Sequence, residues 1–108
     1  MTVTIESLEK YNAINSIDYG ETVVFFKFGA DWCIPCQELE KTLNNIPGSM
    51  LYNISVDNDD FETFLIEKNI YTVPVTIIKY KNVTHTFQGV KTKNQIEFLI
   101  DVMKKQHV

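Results

Sequence analysis

Cysteine is scarce in this chain of 108 residues, which contains only Cys33 and Cys36. Small secreted domains that depend on disulfides carry several cysteine pairs, so the sequence excludes a framework of that kind. Whatever these two cysteines do, we expect them to do it with each other or with a partner molecule.

Dense basic clusters and long apolar runs are also missing. Ten basic and fourteen acidic residues give a net charge of −4, and no basic stripe could follow a phosphate backbone, so we expect no nucleic-acid partner. No apolar run approaches the ~20 residues of a membrane span, and charges interrupt the first ten positions, where a secretory signal would have its apolar core. These absences predict a cytoplasmic protein with no membrane partner.

Internal repeats and linkers rich in Pro, Gly or Ser are absent as well. A hydrophobic fraction of 44% and a charged fraction of 22% are typical of a soluble globular protein. We therefore predict one domain over residues 1–108, and we expect it to be a monomer.

Strand-like and helix-like segments alternate along the chain. The predicted strands are residues 3–5, 22–28, 51–56, 75–80 and 83–87. The predicted helices are residues 7–15, 33–45 and about 61–69, followed by a last helix capped by Thr92. Segment 22–28 has β-branched and aromatic residues at both odd and even positions, which favours a central strand covered on both faces. Lys27 is the one charged residue in this segment. Lys81 and Asn82 predict a hairpin turn in which Asn82 takes the positive φ. The order βαβαβ and then ββα predicts an α/β fold with a central mixed sheet and helices on both faces.

The two cysteines stand three residues apart at the start of a predicted helix, directly after a buried strand. At this spacing they can form a disulfide. Unpaired backbone N–H groups and the helix dipole stabilise a thiolate there, which predicts a pKa for Cys33 well below the ~8.5 of a free thiol. Cys33 lies at the exposed end of the helix, whereas Cys36 continues the inward stripe of Leu39 and Leu43. We therefore predict that Cys33 attacks a substrate disulfide and that Cys36 resolves the mixed disulfide.

Three other uses of the pair are less favoured. A zinc site needs four ligands, and His85 and His107 have no paired spacing, so we expect no metal. A structural disulfide across so short a loop removes little unfolded-state entropy and would be reduced in the cytosol. The third alternative is a chance pair of buried core cysteines.

Three segments of the chain carry motifs of one known family. They are residues 28–36 (Phe-Gly-Ala-Asp-Trp-Cys-Ile-Pro-Cys), residues 71–76 and residues 88–96. In that order, they resemble the active-site motif, the cis-proline loop and the glycine and final-helix segment of the thioredoxin family. The resemblance implies a thioredoxin fold and a protein-disulfide reductase that needs no cofactor. It also implies a thioredoxin-reductase-like flavoprotein as the electron donor and protein disulfides as substrates.

The resemblance further implies which residues bind the substrate. It implies a cis Val73–Pro74 bond facing the cysteines, with the Val73 backbone offered to an extended substrate. The expected substrate-binding residues are Trp32, Ile34, Pro35, Val73, Pro74 and Gly89. Taken alone, Pro74 could equally be a strand-start proline and Gly89 an ordinary turn glycine.

The chain departs from the family pattern beneath the active site. Lys27 aligns with the buried aspartate of the family, Asn53 with a lysine often near it, Ile34 with a glycine, Gly29 with a tryptophan and Lys41 with a helix-kinking proline. A Lys27 cation near the cysteines would favour the thiolate and make the couple more oxidising than the about −270 mV typical of thioredoxin. The alternative is that its ammonium reaches solvent from the strand end.

Two other functions stay open on the residues alone. One is a non-catalytic binding module or subunit with a thioredoxin fold, in which the cysteines are dispensable. The other is a glutaredoxin-like protein that glutathione reduces.

Overall fold

The computed structural model describes residues 2–107, which form five strands and four α-helices. The strands are β1 (Thr2–Thr4), β2 (Val23–Gly29), β3 (Ser49–Ser55), β4 (Val75–Tyr80) and β5 (Val83–Gln88). The helices are α1 (Leu8–Asn15), α2 (Ile34–Asn44), α3 (Glu62–Glu67) and α4 (Lys93–Gln106), and a 3-10 turn at Asp59–Phe61 precedes α3. The predicted order of elements is confirmed.

The strands form one mixed sheet in the order β1-β3-β2-β4-β5. β1, β3 and β2 are parallel, β4 is antiparallel to β2, and β5 is antiparallel to β4. Helices α1 and α3 contribute buried side chains to one face of the sheet, and α2 and α4 contribute them to the other. The mixed sheet with helices on both faces is therefore confirmed.

The central strand β2 is buried along its whole length. Phe26 and Phe28 pack on the side of α1 and α3, whereas Phe25 packs on the side of α2 and α4. Because side chains alternate between the faces of a strand, Lys27 points to the same face as Phe25. The one charged residue of the strand therefore lies under α2.

The hairpin between β4 and β5 turns at Lys81 and Asn82, between the paired residues Tyr80 and Val83. The positive φ falls on Lys81, at 53°, so the prediction for Asn82 is wrong. Both primed hairpin turns require a positive φ at their first central residue, which here is Lys81. Position in the turn outweighs the preference of asparagine for this conformation.

Helix α4 begins with the predicted capping box. Gln95 N donates to Thr92 Oγ1 at 3.2 Å, and Thr92 N donates to Gln95 Oε1 at 2.9 Å. The pair satisfies backbone donors that a helix leaves free at its amino end. None of the helices in residues 2–107 is both long and apolar enough to cross a membrane.

The carboxyl end of β2 brings the three motif segments together. β2 ends at Gly29 and leads through a short loop to Cys33 and α2. Phe28 pairs with Val75 and Val75 with Gln88, so Val73–Pro74 and Gly89 lie at this same end of the sheet. The topology therefore places residues that are far apart in sequence beside one another.

Candidate active site

Cys33 and Cys36 are joined by a disulfide at the amino end of α2, with their Cα atoms 5.3 Å apart. Cys33 is the N-cap residue, and its Sγ accepts a hydrogen bond from the backbone N–H of Cys36 at 3.2 Å. The first N–H groups of a helix have no partner within the helix, and the dipole is positive there. This arrangement favours negative charge on Cys33 Sγ.

Cys33 is less accessible than the sequence predicts. Cys33 is 5% exposed and Cys36 is 2% exposed. The prediction of an exposed Cys33 is therefore wrong for the disulfide form, because the bond to Cys36 holds its Sγ over the first turn of α2. Cys36 itself lies on the inward side of α2 with the buried Leu39 and Leu43.

An exposed apolar surface flanks the disulfide in the chain. Trp32 and Ile34 are 68% and 67% exposed, and Pro35 beside them is exposed in the first turn of α2. Trp32 Nε1 donates to Asp57 Oδ2 at 2.9 Å, which orients the indole. Asp57 is 25 residues from Trp32 in sequence and was not among the expected site residues, so this contact was not foreseen.

Pro74 and Gly89 are in direct contact through their backbones. The Val73–Pro74 bond is cis, and Gly89 N donates to Pro74 O at 2.9 Å. Gly89 has a φ of 76°, a conformation that glycine adopts without strain. The two loops that the resemblance assigns to substrate binding are thus held together at the end of the sheet.

A partly buried polar cluster lies beneath the first turns of α2. Lys27 is 4% exposed, and its Nζ donates to Cys36 O at 3.0 Å and to Glu40 Oε1 at 3.1 Å. Asn53 Nδ2 donates to the same Glu40 oxygen at 2.8 Å. The alternative in which Lys27 reaches solvent is therefore wrong, because acceptors inside the protein satisfy its ammonium group.

Glu40 is the member of this cluster that the sequence analysis missed. The available signal was its spacing, since it follows Cys36 by four residues and lies on the same side of α2. Burial raises the pKa of Glu40, but hydrogen bonds from Asn53 and Lys27 and the Lys27 charge outweigh it, so the pKa lies below its usual value. Near neutral pH, Glu40 is an anion paired with Lys27.

Gly29 allows Cys36 to pack closely against the end of β2, between this cluster and the disulfide. A methyl group on Gly29 would lie 3.1 Å from Cys36 Sγ and 3.7 Å from Lys27 Cε. A cleft of about 320 Å³ is lined by Gly29, Cys36, Lys27 and Glu40, among others. The cleft therefore connects the polar cluster to the buried side of Cys36.

No group of three or more His, Cys, Asp or Glu side chains within residues 2–107 could hold a metal ion. The polar groups near the disulfide bind one another instead, as in the Lys27–Glu40 and Trp32–Asp57 contacts.

Comparison with known proteins gives one consistent result. A family model described as Thioredoxin matches residues 3–102. The mitochondrial thioredoxin of Mus musculus is 35% identical over 82 residues, which cover 71% of this chain and 49% of that protein. The chain thus spans about half the length of the curated relatives it matches.

Solved structures share the fold at low sequence identity. Chloroplastic thioredoxin z has a TM-score of 0.78 at 22% identity, covering 96% of this chain and 95% of its own. The thioredoxin of Trypanosoma brucei brucei has a TM-score of 0.73 at 21% identity, covering 96% of this chain and 92% of its own. The disulfide at the start of α2 is consistent with a thiol–disulfide oxidoreductase. With a family match over residues 3–102, the chain belongs to the thioredoxin family.

Proposed function

We propose that this chain is a thiol–disulfide oxidoreductase that reduces protein disulfides through a Cys33/Cys36 dithiol–disulfide cycle. The observation that carries the proposal is the disulfide at the amino end of α2, where Cys33 Sγ accepts the Cys36 N–H. The field of a helix amino end matters most for a sulfur that becomes a thiolate. An inert structural disulfide has no need of that field.

The cycle transfers two electrons to the substrate in two exchange steps. The Cys33 thiolate attacks one substrate sulfur, which forms a mixed disulfide and releases the other substrate sulfur to take up a proton. Cys36 then gives up its proton and attacks Cys33 Sγ. The second substrate sulfur leaves as a thiol, and the Cys33–Cys36 disulfide forms. Cys36 acts at high effective concentration because it is held one helical turn away.

The substrate would bind across the apolar surface and the two adjoining loops. Trp32, Ile34 and Pro35 offer exposed apolar area, and the backbone of Val73 can pair with an extended chain. Gly89, which contacts Pro74, has no side chain to obstruct that approach. An extended segment with apolar residues around its disulfide fits these features.

The electron donor in this proposal is a thioredoxin-reductase-like flavoprotein. The chain would need no cofactor of its own, since its two sulfurs hold both electrons between donor and substrate. We propose that it works as a monomer in the cytoplasm.

Reduction of insulin disulfides tests the proposed activity. The wild-type protein should accelerate reduction of insulin by dithiothreitol, and Cys33→Ser and Cys36→Ser should each return the rate to the uncatalysed value, because either change removes one exchange step. Insulin turbidity measures the rate, and circular dichroism checks that both variants fold. Activity that survives both changes would overturn the enzymatic function and favour the binding module.

The same assay distinguishes the two possible donors. NADPH with thioredoxin reductase should sustain turnover of the wild-type protein, whereas glutathione with glutathione reductase and NADPH should not. The opposite pattern would identify a glutaredoxin-like protein.

Alkylation of the reduced protein tests the roles of the two cysteines. Cys33 should react with iodoacetamide roughly tenfold faster than Cys36 or more, because the helix amino end favours its thiolate. Peptide mass spectrometry after short labelling times measures both rates. Equal rates at the two cysteines would contradict the assigned roles.

A further inference from the structure

The Lys27–Glu40 ion pair contacts Cys36, one of the two reacting cysteines, yet the cycle above does not use the pair. Lys27 Nζ contacts the backbone of Cys36 and the Glu40 carboxylate at once. The side chains of Lys27 and Glu40 are 6% and 38% exposed. Because Lys27 is withdrawn from solvent, its charge acts on its neighbours more strongly than a charge in water does. Glu40 is partly exposed, but hydrogen bonds from Lys27 and Asn53 hold its carboxylate on the side of α2 that faces the sheet.

We propose that Lys27 and Glu40 act as opposed charges that together set the redox potential of the Cys33–Cys36 couple. Alone, the Lys27 cation would favour the thiolate and hence the reduced form. Alone, the Glu40 carboxylate would disfavour the thiolate and hence favour the disulfide. The proposal rests on the proposed function, because it concerns the pair of sulfurs that the cycle oxidises and reduces.

The contacts hold both charges close to Cys36. Glu40 lies one turn after Cys36 on α2, and Lys27 and Asn53 both bind its Oε1 atom. Lys27 Cε and Cys36 Sγ both approach Gly29, since a methyl group placed on that glycine would lie 3.7 Å from the first atom and 3.1 Å from the second. The pair is therefore fixed next to the resolving cysteine.

The other groups around the pair add little charge. The residues beside Lys27 in the sheet are Asn53 on β3 and Thr76 on β4, and both are neutral. Asp31 is the remaining carboxylate that lines the cleft, and it is exposed, so solvent screens it. The net effect of nearby charges on the cysteine pair therefore depends mainly on Lys27 and Glu40.

A double-mutant cycle in a glutathione redox buffer tests the proposal. In the measured equilibrium, the protein disulfide and two glutathione molecules give the protein dithiol and glutathione disulfide. We expect Glu40→Gln to raise the equilibrium constant several-fold to about tenfold, because the Lys27 cation is left unopposed. Lys27→Met should lower it by a similar factor, and the double variant should return near the wild-type value. A tenfold change corresponds to about 30 mV.

Two variants on the exposed side of α2 serve as matched controls. Glu38→Gln and Lys41→Met change the net charge by the same amounts, but both residues are exposed. We expect each to change the equilibrium constant less than twofold, because solvent screens exposed charges. As a second measurement, the pH midpoint of Cys33 alkylation should fall in Glu40→Gln and rise in Lys27→Met.

Three results would overturn the proposal. The first is that both single variants change the equilibrium constant in the same direction. The second is that the equilibrium constant of the double variant differs from the wild-type value as much as that of either single variant. The third is that Glu40→Gln changes the equilibrium constant no more than Glu38→Gln does. If Lys27→Met does not fold, the comparison of Glu40→Gln with Glu38→Gln still tests whether Glu40 affects the redox equilibrium more than an exposed glutamate does. The glutathione equilibrium is measurable whether or not the protein reduces insulin, so failure of the proposed function is recorded separately.

Discussion

A Cys36→Ser variant should accumulate as a mixed disulfide with its substrate through Cys33. The serine hydroxyl cannot attack Cys33 Sγ, so the second exchange step is lost and the first product persists. With excess substrate, most of the variant should be trapped, whereas the wild-type protein should show almost no adduct. Non-reducing electrophoresis with oxidised insulin measures the adduct, and dithiothreitol should release it.

The Cys33→Ser variant is the matched control for trapping. Its remaining sulfur belongs to Cys36, which lies on the inward side of α2 with the buried Leu39 and Leu43, away from the N-cap position that Cys33 occupies. We therefore expect little or no adduct. An adduct that forms through Cys36, or no adduct with either variant, would contradict the order of the two exchange steps.

Replacing Phe26 with alanine should lower the free energy of unfolding by about 3–5 kcal/mol. Phe26 is 0% exposed, and its ring stacks on Tyr52 at 5.6 Å and meets Tyr11 edge-on at 5.0 Å. The change removes these contacts and leaves a cavity between β2, β3 and α1. Urea unfolding followed by circular dichroism measures the difference.

Phe98→Ala is the control for this stability measurement. Phe98 is 67% exposed on α4, so its removal should change the free energy of unfolding by less than about 0.5 kcal/mol. The expected loss at Phe26 is a large part of the about 5–15 kcal/mol that stabilises an ordinary domain. Similar losses in the two variants would show that the Phe26 side of the sheet is not the main core.

Most of the fold could be predicted from local patterns in the sequence. Segment 22–28 is apolar at both odd and even positions, which predicted a strand buried on both faces. β2 is indeed buried along its whole length. Thr92 and Gln95 predicted the capping box at the start of α4 because that motif depends only on residues three apart. Local chemistry was sufficient wherever the stabilising contact was itself local.

The parts of the site that could not be predicted depend on contacts between distant residues or on the state of the cysteines. Glu40 and Lys27 are thirteen residues apart, and their contact exists only because α2 crosses β2. Burial of Cys33 follows from its bond to Cys36, which the residue pattern permits but does not require. The partner of Trp32, Asp57, lies beyond β3.

The position of Lys27 in β2 also bears on how this strand finds its register. A shift of one residue turns every side chain of a strand to the opposite face, and β2 is so apolar on both faces that hydrophobic pattern alone opposes such a slip only weakly. After a slip, the ammonium group of Lys27 would lie among the rings of Tyr11, Phe61 and Phe64, with neither Glu40 nor the Cys36 carbonyl in reach. Burying an unpaired ammonium there costs several kcal/mol. One charged residue thus specifies the register of a strand that is otherwise apolar on both faces.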